Sequence, residues 1–334
     1  MKLSETILVT GAAGFVGSHL LTLLDRTRGS STLIAWRRPA HAGDSPSSPP
    51  RLAPGDNRVH WSEVDLLDAA AVARVITRTQ PTQVYHCAGA ASVGDSWPNS
   101  YATLRTNVLG TQHLLAALSD HAPEARTLIP GSALVYKPSG TALDEADPLG
   151  PVSPYGLSKL AQELVGLAAA QQDGMTVLVS RSFTHVGPGQ ALSFAASSFA
   201  HQIARIEAGQ IPPILSVGNL DSRRDLTDVR DTVHAYQRLM AGGASATPYN
   251  VCTGTAYRTG EVLDELLSCA SVAVTVRQDS SRMRPSDCPL LLGNPTRIKR
   301  DVGWQPNIPL SDTLSNLLDY WRASIKGEDY GHRS

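Results

Sequence analysis

Apolar residues along this chain switch between two periods, and the switching outlines a fold. Thr6–Thr10 (T-I-L-V-T) is a short aliphatic and β-branched run, the pattern of a buried strand. Val16, Leu20, Leu23 and Leu24 then recur at helical spacing. The same succession repeats. Strands are predicted at Thr32–Trp36, Val59–Val64, Gln83–Cys87, Thr127–Pro130 and Met175–Ser182. Helices are predicted at Asp68–Thr79, at Asn99–Leu118 and from Ser153 to about Gly174. The stripes Leu104, Val108, Thr111, Leu115, Leu118 and Leu157, Leu160, Leu164, Leu167 are expected to face the core. Strands alternating with helices predict an α/β fold with a doubly wound parallel sheet. From about residue 190 the alternation loosens. Short helices near Ser193–Ala208, Asp228–Met240, Thr259–Ala270 and Leu310–Trp321 then mix with short strands. We expect residues 1–185 to form the first domain, with part of 220–255 returning to it. Residues 186–325 form a smaller region, and 326–334 a polar tail.

The turns carry the chemistry. The first strand runs into Gly11-Ala-Ala-Gly14-Phe15-Val16-Gly17. Strand, glycine turn and helix is the context in which amides at a helix N-terminus hold a pyrophosphate. The next strand ends in Arg37-Arg38, with no acidic residue from Ser30 to Pro39. An acid there would bond a ribose 2′-hydroxyl, whereas guanidinium suits a 2′-phosphate, so the expected cofactor is NADP(H). The plain alternative is two solvated arginines. Residues 39–58, rich in Pro, Ser and Gly, form a long loop, either a flap or an inert insertion. Asp65-Leu66 is expected beside the adenine, and Ala88-Gly89-Ala90-Ala91 lets a flat ring or pyrophosphate lie against backbone. Asn107, beside a helix's apolar stripe, is an internal polar residue that needs a partner.

The stretch Ser153-Pro154-Tyr155-Gly-Leu-Ser-Lys159 brings an N-cap, a proline suited to the first helical position, and a phenol and ammonium at i and i+4. A nearby cation lowers a phenol's pKa, which makes a tunable proton donor. A surface Tyr and Lys four apart is the bland reading. Ser132, after the strand ending at Pro130, reaches the same carboxyl edge of the sheet, where ligands of such sheets gather.

Composition narrows the field. A chain of 334 residues with net charge −1 gives no reason to expect nucleic acid or a membrane surface. Its four cysteines form no C-x-x-C pair, fitting reduced thiols and a cytoplasmic enzyme. The ten histidines lack metal-ligand spacing, so no metal is expected, nor a signal peptide or a membrane span.

Gly11-x-x-Gly14-x-x-Gly17, Asp65-Leu66, Ser132-x-x-x-Tyr136, Tyr155-x-x-x-Lys159 and Gly303-Trp304-x-Pro306 occur together in order. This combination resembles the extended short-chain dehydrogenase/reductase superfamily. The resemblance implies a Rossmann domain, a smaller sugar-nucleotide region and a homodimer formed through Asn99–Leu118 and Ser153–Gln172. It implies cofactor contacts at Gly11, Gly14, Phe15, Val16, Gly17, Arg37, Arg38, Asp65, Leu66, Ala88, Gly89, Ala90, Asn107, Tyr155, Lys159, Phe183 and His185. Within the superfamily, Val93–Trp97, Phe183–Gln190, Val217–Asp231 and Arg284–Asp287 look most like the GDP-4-keto-6-deoxy-D-mannose reductases, which make GDP-D-rhamnose. Carried over by motif, Arg224 and Arg284 grip the substrate diphosphate, Asp287 lies near the base or its ribose, and Ser92, Ser132 and Thr184 complete the substrate contacts. Arg224-Asp225 and Arg284 with Asp287 can equally be ordinary ion pairs.

Three departures bear on activity. Leu134 stands where 4,6-dehydratases of the family place a carboxylate base. Thr184 replaces the usual Asn, and Lys137 follows Tyr136 where Gly is usual. The expected activity is NADPH-dependent reduction of the C4 ketone of a nucleotide-linked 6-deoxyhexose, with a GDP-sugar preferred on resemblance alone. Alternatives are a 4-epimerase, a dehydratase-like enzyme, or a cofactor-sensing protein that has lost catalysis.

Overall fold

Strand β1 (Thr6–Thr10) is buried along nearly its whole length, which suits it to the middle of a sheet covered on both faces. The computed structural model describes residues 5–27, 29–39, 59–282 and 288–327. Around β1 lie β2 (Thr32–Arg37), β3 (Val59–Glu63), β4 (Gln83–His86), β5 (Arg126–Pro130), β6 (Val177–Ser182) and, after three intervening strands, β10 (Pro248–Val251). Among the described residues these seven strands form one sheet, in the order β10-β6-β5-β4-β1-β2-β3. Every neighbour in it is parallel. The order reverses between β1 and β4, and a crevice opens at such a point, outside the carboxyl ends of the strands. The expected α/β doubly wound parallel sheet is present.

Helices cover both faces. On one side α1 (Phe15–Thr27) packs against α8 (Val229–Gly242), with α10 (Thr296–Val302) beyond it, around Leu20, Leu24, Tyr236 and Leu239. On the other lie α2 (Ala69–Thr79), the segment from α3 (Val93–Ser96) through α4 (Ser100–Leu104) to α5 (Gly110–His121), and α6 (Pro154–Gln172). The smaller region holds β7 (Thr184–Val186), α7 (Ala195–Glu207), β8 (Ile214–Val217), β9 (Arg223–Asp228), β11 (Ala256–Arg258), α9 (Thr259–Ser268), β12 (Thr275–Gln278), β13 (Leu290–Leu291) and α11 (Leu310–Ile325). Its core is Phe199, Ile203, Leu263, Leu314 and Leu317 with their neighbours. The region is joined to the large sheet directly, since β7 follows β6 after one residue and pairs with β9.

Two expectations about helices are corrected. Asn99–Leu118 is not one regular helix: residues Arg105–Leu109 widen into a π turn, closed by the Gly110 amide donating to the Arg105 carbonyl. The leucine stripe of α6 faces the core only in part. Leu160 and Leu167 pack against it, but Leu157 and Leu164 are 49% and 54% exposed, while Gly156, Ser158, Lys159, Gln162, Glu163, Gly166 and Ala169 are buried. The reason is close packing. A methyl on Gly166 would press on Ile129, one on Gly156 would meet the Leu134 carbonyl, and the polar members of that face all find partners.

One such partner is a buried ion pair. Arg181 on β6 donates Nη2 to Glu163 Oε1 at 2.6 Å and Nε to Oε2 at 3.1 Å, lies over the Tyr136 ring, and donates Nη1 to the Glu145 carbonyl. The Tyr136 hydroxyl donates to Asn250 Oδ1 at 2.7 Å. Together these bonds fasten the 136–150 connection to the sheet.

Candidate active site

The glycine turn fits a dinucleotide for steric reasons. Gly11 has φ +64°, and a Cβ there would sit 2.6 Å from the Ala88 backbone, which is why β1 and β4 can approach so closely at the switch point. A methyl on Gly17 would strike the Gly11 carbonyl, so helix and turn also need that glycine. Phe15 and Val16 open α1, whose first-turn amides have no intrahelical acceptors. Phe15 stacks on His185 of β7 at 5.8 Å, and His19 Nε2 is 2.9 Å from the Pro188 carbonyl, so the loop after β7 is held against α1.

At the far side of the crevice Ser153 caps α6 by accepting from the Gly156 amide at 3.1 Å, and Pro154 takes the first helical position. This start points Tyr155 and Lys159 toward the carboxyl end of β5. Ser132, capping the turn Ala133–Val135 by accepting from the Leu134 amide, sets its hydroxyl beside the Tyr155 phenol, where it favours the ionised form. The Tyr155 amide donates to Ser96 Oγ at 3.2 Å. Lys159 is buried, and its ammonium donates to the Pro130 carbonyl at 2.9 Å and to Gln162 Oε1 at 2.7 Å. Burial lowers its pKa to about 8, against a smaller raising effect of the Cys87 thiol. Tyr155 moves the other way: burial raises the phenol to about 12, and the Ser132 hydroxyl only partly offsets it. The expectation that Lys159 draws the phenol down is not met in this geometry, because the ammonium is engaged by Pro130 and Gln162 and burial prevails.

Other expected contacts take different roles. Asn107, at the centre of the π turn, has no exposed surface. Its Oδ1 accepts from the Ala90 amide at 2.8 Å, and Nδ2 donates to the Ala90 carbonyl and to Ser158 Oγ at 2.8 Å. These bonds prop the segment that follows β4. Gly89 leaves room for that side chain, since a Cβ would come within 2.7 Å of Asn107 Oδ1. Phe183 has its side chain in the core, packed against Gly293 and within the cluster of Cys252 and Leu291. Arg37, at the tip of β2, is paired with Glu63 of β3 at 2.8 Å, and Arg38 beside it is exposed. Asp65 Oδ1 accepts from the Leu67 amide, and the Leu66 side chain is buried against Gly110 while its carbonyl lies 2.8 Å from His113 Nδ1. Ser92 caps α3. Thr184 is half-buried on β7. Arg224 is half-buried on β9, where its Nη1 donates to the Arg223 carbonyl at 2.8 Å and burial lowers its pKa. Arg284 and Asp287 lie outside the described residues, as does the 39–58 stretch from residue 40 onward.

A model of the family described as GDP-mannose 4,6 dehydratase matches residues 8–317. The chain belongs to that family of extended short-chain dehydrogenase/reductases. GDP-6-deoxy-D-mannose reductase of Pseudomonas aeruginosa is 33% identical over 332 residues, 98% of this chain and 100% of that protein. The solved structure of RMD from Pseudomonas aeruginosa complexed with NADPH superposes with a TM-score of 0.80 at 31% identity, covering 96% of this chain and 100% of that one. UDP-glucose 4-epimerase of Bacillus subtilis is 26% identical over 340 residues, 96% of this chain and 98% of that enzyme. As an extended short-chain dehydrogenase/reductase, the chain is a nicotinamide-dependent enzyme of nucleotide-sugar chemistry. Gly11 and Gly17, whose side-chain space is closed by neighbouring backbone, give it a cradle that fits the dinucleotide. Among the described residues no helix is long and apolar enough to cross a membrane.

The sequence does not single out the polar residues behind the site. Gln162 Nε2 donates to Thr111 Oγ1 at 2.7 Å; Thr111 lies 2.9 Å from His86 Nε2; His86 Nδ1 lies 2.8 Å from Thr10 Oγ1, which accepts from the Ala88 amide. Thr10 and His86 are direct partners across β1 and β4. The usable signal was spacing: Gln162 is three residues beyond Lys159, on the same helical face.

Proposed function

We propose that the enzyme reduces the C4 ketone of a nucleotide-linked 4-keto-6-deoxyhexose, with GDP-4-keto-6-deoxy-D-mannose as substrate and GDP-D-rhamnose as product. The observation that carries this reading is the Ser132–Tyr155 pair beside Leu134, an aliphatic side chain where a 4,6-dehydratase needs a base. A ketone reductase needs only a hydrogen-bond donor and a proton source at the carbonyl oxygen. When bound, the nicotinamide supplies hydride. Ser132 fixes the carbonyl oxygen, Tyr155 gives its phenolic proton to the same oxygen, and Lys159 supplies positive charge behind the phenol. A phenol held near 12 is fully protonated at neutral pH, the state a donor requires. Positioning and electrostatic stabilisation account for the rest of the rate.

Gly11, Gly14, Phe15, Val16, Gly17, Ala88, Gly89 and Ala90 hold the dinucleotide in this reading, and Arg38 with Arg37 takes a 2′-phosphate, so NADP(H) is the cofactor. Arg224, a half-buried guanidinium bonded to main-chain carbonyls, grips the substrate diphosphate together with Arg284. The test is to incubate the protein with NADPH and GDP-4-keto-6-deoxy-D-mannose and identify the sugar by NMR. Stoichiometric NADPH loss with a rhamnosyl product supports the proposal, and an unchanged keto sugar overturns it.

One observation favours a second reading. The Arg37–Glu63 pair places a carboxylate at the adenosine end, where it can bond an unphosphorylated ribose and so suit a 4-epimerase that retains NAD. Protein that purifies with tightly bound NAD and interconverts 4-epimers would establish it.

A further inference from the structure

Lys159 is a buried cation without a carboxylate, and the residues that hold it are on three separate elements. Its ammonium bonds the Pro130 carbonyl at the end of β5 and Gln162 Oε1 on α6. Gln162 has no exposed surface, and its amide is anchored in turn on Thr111 of α5. The proton count along this chain of groups closes. The Thr111 hydroxyl donates to the Asn107 carbonyl at 2.6 Å, so it accepts from both Gln162 and His86. His86 therefore carries a proton on Nε2, and in the neutral ring Thr10 donates to Nδ1. Burial independently pushes the same imidazole down to about 3. None of these side chains is among the buried polar atoms left without a partner. A fully satisfied buried network has one arrangement and resists distortion.

We propose that Gln162 is a positioning residue: its side-chain carbonyl holds the Lys159 ammonium against the Pro130 carbonyl, and its amide fixes that carbonyl by way of Thr111. The inference deepens the reading of Lys159 as the cation of the catalytic site. Gln162 lies mid-helix on the buried face of α6, with Ser158, Lys159 and Glu163. It presents its acceptor to the amine and its donor to the network. It therefore stabilises the protonated amine without adding a charge. The ionisable groups facing Lys159 from the packed elements are His86 and Cys87 at the end of β4, His185 of β7, and Tyr155 one turn back on α6. His86 is neutral and both His86 and His185 are pushed down by burial, to about 3 and about 4, while burial raises the Cys87 thiol to about 12. None of these three carries charge near neutral pH, so the hydrogen bonds to Gln162 and Pro130 are the contacts that hold the protonated amine against the cost of its burial.

The chain's lysines are Lys2, Lys137, Lys159, Lys299 and Lys326, few enough to follow individually. With ¹³C-lysine labelling of the full chain, and Lys159→Arg for assignment, NMR titration of the protein alone gives the Lys159 midpoint. Gln162→Met keeps the length of the side chain but removes the acceptor, and the midpoint falls by half a pH unit or more below the wild type. Gln162→Glu places an opposite charge on the amine, and the midpoint rises by a unit or more. In the wild type the Gln162 side-chain amide resonances move with the Lys159 titration, a readout that needs no variant to fold. Unchanged midpoints in folded variants, or Gln162 resonances indifferent to the Lys159 titration, overturn the proposal. Because no sugar is involved, a failure to reduce keto sugars leaves this outcome unaffected, and the two ideas fall separately.

Discussion

At Tyr155 burial, opposed only by the Ser132 hydroxyl, decides the proton's fate, and at Lys159 burial decides it in the opposite sense. The proposed donor is thus protonated throughout the neutral range, and the assisting cation is the group that titrates within reach of experiment. Tyr155→Phe removes one hydroxyl from a half-buried ring and should fold and bind NADPH as the wild type does. Its turnover should fall roughly 10²–10⁴-fold, the range of general acid catalysis, measured by loss of reduced-nicotinamide absorbance. Undiminished turnover would remove Tyr155 from the mechanism. The pH dependence follows from the sign of the lysine shift. With its pKa lowered to about 8, Lys159 is cationic below that pH and neutral above it. Reductive turnover should therefore be level through neutral pH and decline above about 8, and Lys159→Arg should move the decline upward; an unaltered limb in that variant would assign it to another group. The sequence brought Ser132, Tyr155 and Lys159 to one edge by topology and spacing. It could not distinguish Asn107 and Phe183 as internal supports, because whether a polar or aromatic residue faces a ligand depends on partners more than 15 positions away, such as Ala90 and Gly293.

Strands were the elements most legible in the sequence. β1 has the bounds its apolar run predicts, and β2 to β6 begin or end within two residues of their predicted limits, since all but the largely uncovered edge strand β3 are mostly buried runs. Helical faces were read less well. On α6 the small residues Gly156, Gly166 and Ala169 sit toward the sheet, and the larger leucines Leu157 and Leu164 point outward, reversing what hydrophobicity alone suggests. The π turn was invisible for a similar reason: it turns Asn107 toward Ala90 and Ser158, and no periodicity encodes those bonds. The glycine turn, by contrast, was legible because only backbone without Cβ fits there. Gly17→Ala tests that at the level of the β1–α1 unit. The added methyl would run into the Gly11 carbonyl and Ala12, so the turn must shift or the helix must tilt. Overpacking of this kind typically costs about 1–3 kcal/mol. We expect a denaturant midpoint lowered to match, together with loss of NADPH binding by calorimetry; normal affinity in the variant would mean that the turn does not carry the pyrophosphate.

For the molecule as a whole, the outward leucines raise the question of what covers them. Tyr101 is 72% exposed, Trp97 56%, and Leu109 40%, and these accompany Leu157 and Leu164 on the neighbouring segments α3 to α6. The segments touch one another, so the apolar side chains belong to one side of the molecule. Contiguous apolar surface of this sort marks an interaction site more often than a solvated face. The proposed homodimer, joined through the α4–α5 segment and α6, would bury it against the same surface of a second copy, as a two-fold contact requires. Wild-type protein should then sediment at twice the chain mass at micromolar concentration. Tyr101→Glu combined with Leu164→Glu places charge in a desolvated contact and should weaken association at least 100-fold, equivalent to about 2.8 kcal/mol. Both positions are exposed within a single chain, so the thermal midpoint of the isolated subunit should move little. A wild-type protein that sediments as a monomer at that concentration would assign the surface to a different partner. A double variant that remains dimeric would place the two-fold contact elsewhere on the molecule.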